Sequence, residues 1–148
     1  MKFAENLYRL GTESAFAILA EAKKISNHKW EVYTENGRQK TGIDVIEWAA
    51  KGCELEAGEI LLTSIDQEGT KKGFDYELIK AVSKNVPIQV IASGGMGSHE
   101  DLLKAVNESF ADAIAMADII HYDKSTLIEI RKYSLKNNLN VRTYEAKG

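Results

Sequence analysis

The amino-acid sequence predicts an α/β fold in which parallel strands alternate with helices. Short apolar runs alternate with amphipathic segments along the 148 residues, and this alternation is typical of a parallel sheet that is covered by helices. The chain length also suits one compact domain. We therefore expect a single domain over residues 1–148.

The first elements are a strand and a hairpin. The strand is predicted at residues 15–20 (AFAILA), and two extended segments follow at residues 30–34 and 38–41, joined through Asn36 and Gly37. Because both positions of Asn-Gly favour positive φ, this dipeptide predicts a two-residue hairpin turn. We interpret the hairpin as an insertion into the main pattern of strands and helices.

Two helices and a buried strand come next. The first helix is predicted at residues 44–56, with Asp44 as its N-cap and Gly58 as the residue that ends it. The strand at residues 60–65 begins with a continuous apolar stretch, as expected of a strand that is buried on both faces. A second helix is predicted at residues 76–85.

The last units repeat the same pattern. Pro87 comes just before a strand at residues 88–92, a position that suits proline because it cannot donate a hydrogen bond to the sheet. A helix capped by Ser98 follows, then a strand at residues 113–117 and a helix at residues 125–137. These elements complete four βα units and one hairpin.

The number of units predicts half of a parallel (β/α) TIM barrel. A closed barrel of this type needs eight units and about 250 residues, whereas the sequence supplies four. The amino-terminal half of the barrel is therefore expected to be absent from this chain. Since a half-barrel exposes two sheet edges and its inner face, we expect it to pair with a second copy or with a complementing amino-terminal half.

Composition excludes several classes of protein. The net charge of −3 is dispersed along the chain, which argues against a nucleic-acid surface. No apolar run approaches the roughly 20 residues that span a membrane, and the first residues lack the apolar stretch of a signal peptide. The single cysteine, Cys53, fits a cytoplasmic protein. The three histidines lack metal-ligand spacing, so we expect neither a metal nor a cofactor.

The strongest local signal is the glycine-rich stretch at residues 93–98 (SGGMGS), between a strand and a helix. Its glycines allow the backbone to approach an anion closely, and the helix start offers free N–H groups to a phosphate. The alternative is a tight turn without a ligand. The barrel context favours phosphate, because loops after the late strands often bind it in these folds.

Carboxylates follow two of the predicted strands. Glu21 comes at the end of the first strand, where it could act as a general acid or base with Lys23 nearby to hold it ionised. Asp66 and Glu68 follow the second strand and could be an acid and a base, or hydrogen-bond anchors for a sugar. The alternatives are a solvated charge cluster around Glu21 and a polar capping loop around Glu68.

One long motif resembles a known family. Residues 58–66 (GEILLTSID), followed by Gly69-Thr70, resemble the signature of the cyclase subunit of imidazole glycerol phosphate synthase. Thr41-Gly42, Glu47-Trp48 and residues 91–95 (IASGG) fit the same family in the same order. The resemblance runs from about residue 11 to residue 142 and covers only the second half of the family's barrel.

The resemblance implies a function and a site. This family uses ammonia from a glutaminase partner to convert a phosphorylated aminoimidazole ribonucleotide into imidazole glycerol phosphate and an aminoimidazole carboxamide ribotide. It implies that Glu21 and Glu68 are the catalytic acids of this chain. The residues that it implies for substrate and phosphate binding are Thr63, Ser64, Gly69, Thr70, Ser93, Gly94, Gly95 and Asp118.

Three of these residues depart from the family pattern. Glu21 and Glu68 replace aspartates, and a shift of about 1 Å at a catalytic group can cost a hundredfold in rate. Asp118 replaces a serine and would place a negative charge beside a phosphate. Relatives in surface-polysaccharide pathways resemble ammonia channels for a separate amidotransferase, so a non-catalytic conduit is the alternative function. A third possibility is a truncated product that binds phosphate without turnover.

Overall fold

The structure is a computed structural model that describes residues 17–122 and 124–142. Residues 15 and 16 of the predicted first strand lie outside the described residues. Within the described ranges the chain forms six strands and five helices. In chain order they are β1 (Ala17–Ser26), β2 (Lys29–Thr34), β3 (Gln39–Asp44), α1 (Val45–Glu54), β4 (Glu59–Ser64), α2 (Tyr76–Ser83), β5 (Gln89–Ser93), α3 (His99–Asn107), β6 (Ala113–Ala115), α4 (Asp118–His121) and α5 (Leu127–Lys136).

All the strands belong to one open sheet. Its order is β3-β2-β1-β4-β5-β6. The β1, β4, β5 and β6 strands are parallel, and β2 and β3 continue the sheet as an antiparallel hairpin. The predicted fold class, a partial (β/α) TIM barrel with an added hairpin, is therefore confirmed, and the sheet does not close. The inserted hairpin extends the main sheet beside β1.

The first strand is longer than predicted. Residues 17–22 of β1 pair in parallel with β4, and residues 21–26 pair with β2 in the antiparallel direction. The antiparallel partner supplies hydrogen bonds beyond residue 20, so the strand continues through its charged residues. Glu21 consequently lies within β1, and the prediction that it follows the end of this strand is wrong.

The hairpin loop between β2 and β3 also differs from its prediction. It has four residues, 35–38, and the Arg38 amide donates to the Thr34 carbonyl at 3.0 Å. Asn36 and Gly37 have positive φ as expected, but Glu35 has a φ of 53° as well. Because a third residue adopts the left-handed conformation, a two-residue turn does not form.

Helix starts are predicted better than helix ends. Asp44 caps α1 by accepting from the Ile46 amide at 2.8 Å, and Ser98 caps α3 in a reciprocal capping box. Both predicted N-caps are confirmed. The α1 helix ends at Glu54, and Glu56 takes a positive φ of 64°. Gly58 does not end this helix, because the chain has already left the helical conformation.

The helices cover one face of the parallel strands. On that face the strand side chains are fully buried: Ile18, Ala20, Ala22, Ile60, Leu62, Val90 and Ala92. The opposite face, which we call the open face, carries Leu19, Glu21, Leu61, Thr63, Ile91 and Ser93, of which Leu19 is 65% exposed. The β4 strand therefore alternates between buried and half-buried residues. It is not buried on both faces as predicted, because the described chain supplies no layer over the open face.

The carboxyl-terminal elements are shorter than expected. The β6 strand ends at Ala115, two residues before its predicted end, and the chain turns into the short α4 helix, which the sequence did not predict. This turn places Asp118 at the first position of α4. Among the helices of the described ranges, none is long and apolar enough to cross a membrane.

Candidate functional site

Strand register aligns polar side chains across the carboxyl-terminal edge of the sheet. Glu21 pairs with Thr63, Thr63 with Ser93, and Ser93 with Ala115. Residues paired in this way point to the same face of a sheet, so the row lies on the open face. The carboxyl ends of parallel strands are where parallel β/α folds place their active sites. The register therefore brings three predicted site residues to the expected edge.

A cavity of about 230 Å³ lies beside this row, and we call it the carboxyl-end cavity. It is formed by the loops after β4, β5 and β6. Its lining residues are Glu68, Gly69, Lys71, Ser93, Gly94, Gly95, Met96, Ala115, Met116, Ala117 and Asp118. The structure thus gathers Glu68, Gly69, Asp118 and the Ser-Gly-Gly segment, which the sequence placed in one site.

Glu21 lies in a different environment. It lines a second cavity of about 270 Å³ between β1 and the hairpin, together with residues such as Tyr33 and Trp48. Its carboxylate accepts a hydrogen bond of 2.9 Å from the Gly37 amide in the hairpin loop. The two predicted catalytic acids therefore line separate cavities in this chain. The hairpin loop holds Glu21 through the Gly37 amide.

The three remaining hydroxyl residues are placed differently from one another. Thr63 lies on the open face in the middle of the row. Ser64 points to the opposite face, is 2% exposed, and its hydroxyl finds no hydrogen-bond partner within the described part of the chain. The Thr70 hydroxyl donates to the Gln67 carbonyl at 2.8 Å and shapes the loop. The structure brings neither the Ser64 nor the Thr70 hydroxyl to the carboxyl-end cavity.

The glycines of the SGGMGS stretch are required by packing between two loops. A Cβ atom at Gly94 would lie 2.9 Å from the Ser64 carbonyl oxygen, and one at Gly95 would overlap the Gly73 carbonyl. A Cβ at Gly97 would overlap the Lys71 carbonyl. The sequence predicts that these glycines allow an anion to approach the backbone closely. The structure shows that the protein's own backbone makes this close approach.

The start of α3 is less free than predicted. The amides of Gly97 and Ser98 both donate to the Asp101 carboxylate at 2.9 Å, and the Asp101 amide donates to the Ser98 hydroxyl at 3.4 Å. The prediction of free N–H groups at this helix start is therefore wrong for these three amides. An anion in the cavity has instead the backbone of residues 94–96, all of which line it.

Asp101 is the centre of this cap. Burial would raise the pKa of its carboxyl group, but hydrogen bonds from Gly97, from the Tyr76 hydroxyl at 2.9 Å and from Ser98 hold the pKa below its usual range. Burial and the same carboxylate raise the pKa of Tyr76. Both groups thus keep the protonation states that this hydrogen bond needs, and the cap joins α2 to α3.

The charge of the carboxyl-end cavity is mixed. Glu68 and Asp118 are acidic, and Lys71 is the one cationic side chain among the described residues that line it. The Lys71 ammonium lies 3.9 Å from the centre of the Tyr122 ring. Sequence reasoning did not select Lys71, although it lies two residues after Gly69 in the same loop. In the described ranges no three His, Cys, Asp or Glu side chains are placed to hold a metal ion.

Comparison with known families identifies the family of the chain. A family model described as "Histidine biosynthesis protein" matches residues 3–126. The chain belongs to this family. The matched region runs from before β1 to beyond α4, so it includes every predicted site residue of this histidine biosynthesis protein. The resemblance that the motif indicated is thus confirmed at the level of the family.

Proposed function

We propose that this histidine biosynthesis protein is the carboxy-terminal half of a cyclase. It would use ammonia from a glutaminase partner to form imidazole glycerol phosphate and an aminoimidazole carboxamide ribotide. The observation that carries this proposal is the row of Glu21, Thr63 and Ser93 across the carboxyl-terminal edge, with the carboxyl-end cavity beside it. This row offers an acid–base group, a hydroxyl and an anion-binding loop to one extended substrate.

Each residue has a proposed role. Glu21 and Glu68 would exchange protons with the substrate as general acid and base, since carboxylates at the edge of a cavity are suited to this work. Residues 93–95 would hold one phosphate of the ribonucleotide through their backbone and the Ser93 hydroxyl. Thr63 lies between Glu21 and Ser93 and would orient the part of the substrate between the reacting ring and that phosphate.

The open sheet explains why a second half would be needed. Leu19 is 65% exposed on the open face, and the edge strand β6 has only three residues. On the other side, residues 17–20 of β1 pair only with β4 among the described strands, and the Trp48 indole donates to the Leu19 carbonyl at 3.1 Å. An amino-terminal half of four βα units would pair with these two edges and cover the open face.

Two observations favour a second function, that of an ammonia conduit for an amidotransferase. The Glu21 carboxylate is engaged by the Gly37 amide, and Asp118 places a negative charge in the cavity that would hold the phosphate. A conduit needs a closed barrel and a partner, but it does not need catalytic acids. In an ammonia conduit, the role of Glu21 would be to fix the hairpin.

The test is ammonia-dependent turnover of the ribonucleotide intermediate, followed by absorbance. The 148-residue chain is assayed alone and after mixing with an amino-terminal half from a working cyclase, and assembly of the halves is measured by sedimentation. Turnover in the mixture alone supports the cyclase. Assembly without turnover supports the conduit. Failure to assemble, and failure to bind the ribonucleotide or the glutaminase, would contradict both functions.

A further inference from the structure

We propose that Lys71 is the residue that lets the carboxyl-end cavity bind a phosphate in spite of Asp118, and that its ammonium group moves from the Tyr122 ring to the ligand when the phosphate binds. This inference rests on the proposed function, in which the substrate carries phosphate. It adds a specificity residue that the sequence motifs did not indicate.

The charges that line the cavity create the need for this residue. A phosphate held by Ser93, Gly94 and Gly95 would share the cavity with two carboxylates, Glu68 and Asp118. Like charges at short range repel, and the repulsion is stronger near the low-dielectric protein than in water. Among the described residues that line the cavity, Lys71 alone carries a compensating positive charge.

The short α4 helix places the two positions of the ammonium close together. Asp118 is the first residue of α4, and Tyr122 is its C-cap. Residues four apart in a helix lie on the same face, one turn from each other. Because the lysine ammonium is carried on a flexible four-carbon stem, it can exchange between the Tyr122 ring and the space beside Asp118.

The Lys71 backbone is fixed while its side chain is less restrained. Lys71 has a positive φ of 58°, and its carbonyl packs against Gly97 in the loop after β5. Two residues further on, the Gly73 amide bonds to the Gly95 carbonyl at 2.8 Å. The main chain of the loop is thus held at the cavity wall. The contact described for the ammonium is the Tyr122 ring, which is itself 59% exposed.

Such a contact is easily exchanged. Cation–π interactions at exposed sites are weak, whereas a hydrogen bond between an ammonium and a phosphate is charge-assisted and stronger. The Tyr122 ring therefore competes with the ligand for Lys71. Removing the lysine should weaken phosphate binding, and removing the ring should strengthen it.

The experiment is a titration of the 148-residue chain with inorganic phosphate, followed by the backbone amide NMR signals of Gly94 and Gly95. Lys71→Gln should lower the affinity about tenfold, the effect of losing one charge-assisted hydrogen bond at a partly exposed site. Lys71→Arg keeps the charge and should stay within about threefold of the parent chain. Lys72→Gln is the matched control, because Lys72 is an exposed neighbour that does not line the cavity, and it should change affinity less than about twofold.

The ring is tested in the same way. Tyr122→Leu should raise the affinity roughly two- to fivefold, the value expected from removing an exposed cation–π contact. The double variant with Lys71→Gln should bind no more tightly than Lys71→Gln alone. The amide spectrum of each variant shows whether the fold is retained.

Three results would overturn the inference: equal affinities for Lys71→Gln and Lys72→Gln, a lower affinity for Tyr122→Leu, or no response of Gly94 and Gly95 to phosphate. The turnover assay of the assembled halves decides the proposed function separately. If the assembled halves turn over the substrate but Lys71→Gln binds phosphate normally, the proposed function stands and the proposed role of Lys71 is wrong.

Discussion

The Gly73 amide donates a hydrogen bond of 2.8 Å to the Gly95 carbonyl and so ties the loop after β4 to the loop after β5. The two loops also touch where a side chain on Gly94 or Gly97 would meet the backbone of Ser64 or Lys71. The wall of the carboxyl-end cavity is therefore a pair of interlocked loops. Its glycines set the distance between the loops, and the cavity depends on that distance.

Replacing Gly95 should destabilise the protein beyond the cost of its positive φ. Gly95→Ala places a methyl group on the Gly73 carbonyl at a φ of 104°, whereas Gly42→Ala has a φ of 73° and no atom within 4 Å. We expect Gly42→Ala to lower the free energy of unfolding by about 1 kcal/mol and Gly95→Ala by about 3 kcal/mol. Urea unfolding measures both. If both variants lose the same free energy of unfolding, the loop after β4 moves away from the new methyl group without an energetic cost.

The Asp101 cap should make stability depend on pH in the acid range. Because its folded pKa is lowered, Asp101 adds stability above its unfolded pKa of about 3.9, and this stability is lost as the pH falls through the folded value. Asp101→Asn should therefore cost about 1 kcal/mol at neutral pH, a value kept small because solvent screens a partly exposed carboxylate. The difference from the parent chain should shrink below about pH 4.

Urea unfolding at neutral and acid pH measures this effect. Glu100→Gln is a suitable control, since Glu100 is the neighbouring acid in the first turn of α3 but does not accept from the Gly97 or Ser98 amides. If the loss of stability in Glu100→Gln depends on pH in the same way as the loss in Asp101→Asn, the effect comes from the helix dipole and not from the Asp101 cap.

Local signals in the sequence predicted the parallel strands, the hairpin and the described helices other than α4, together with two N-caps. Asp44 and Ser98 were recognised as N-caps because each bonds to amides within three residues of itself. The parallel strands were recognised from apolar runs, and their carboxyl ends indicated the edge of the sheet along which Thr63 and Ser93 lie. These features depend on contacts between near neighbours, which a sequence displays directly.

Features that depend on distant partners were missed. Glu21 lies inside β1 because β2 pairs with it, and Ser64 faces away from the cavity because the alternation of β4 places Thr63 on the open face. The glycines at residues 94, 95 and 97 carry a signal for close approach, but nothing local says whether a ligand or a loop approaches. The contact between Lys71 and Tyr122 joins the loop after β4 to the end of α4, so no local pattern displays it.

Asp118 should weaken phosphate binding. It lines the carboxyl-end cavity with Ser93 and the glycine segment. Asp118→Asn removes its charge with little change of shape and should raise the affinity for inorganic phosphate roughly three- to tenfold, as expected for one charge at about 5 Å near solvent. The effect should fall in high salt. Glu47→Gln, an exposed charge change on α1 outside the cavity, should leave the affinity unchanged. If Asp118→Asn binds phosphate more weakly than the parent chain, the prediction is wrong, and Asp118 orients a group that binds the phosphate.

The open face should be needed for assembly with the amino-terminal half. Leu19 is 65% exposed in this chain, so Leu19→Glu should change the free energy of unfolding by less than about 0.5 kcal/mol. In the assembled barrel the same position would bury a charge, and assembly measured by sedimentation should be lost. Leu55→Glu, at the end of α1 and 38% exposed, is the control and should assemble normally. If Leu19→Glu assembles normally, the amino-terminal half binds a surface other than the open face.

Glu21 distinguishes the two proposed functions. Its carboxylate accepts from the Gly37 amide at 2.9 Å, and a glutamine can accept the same hydrogen bond but cannot act as a general base. If Glu21 is catalytic, Glu21→Gln should keep the stability and assembly of the parent chain and lower turnover about a hundredfold or more. Glu21→Ala should lose turnover and also the attachment of the hairpin, at a cost of about 1 kcal/mol.

The conduit reading predicts a different pattern for the same variants. Ammonia passage, measured as amidation by the partner enzyme, should be unchanged in Glu21→Gln, because the hairpin remains fixed. It should fall in Glu21→Ala, where the Gly37 amide loses its acceptor. The glutamine variant therefore separates the two functions: a large loss of turnover identifies Glu21 as an acid–base group, and normal amidation identifies it as a structural anchor of the hairpin loop.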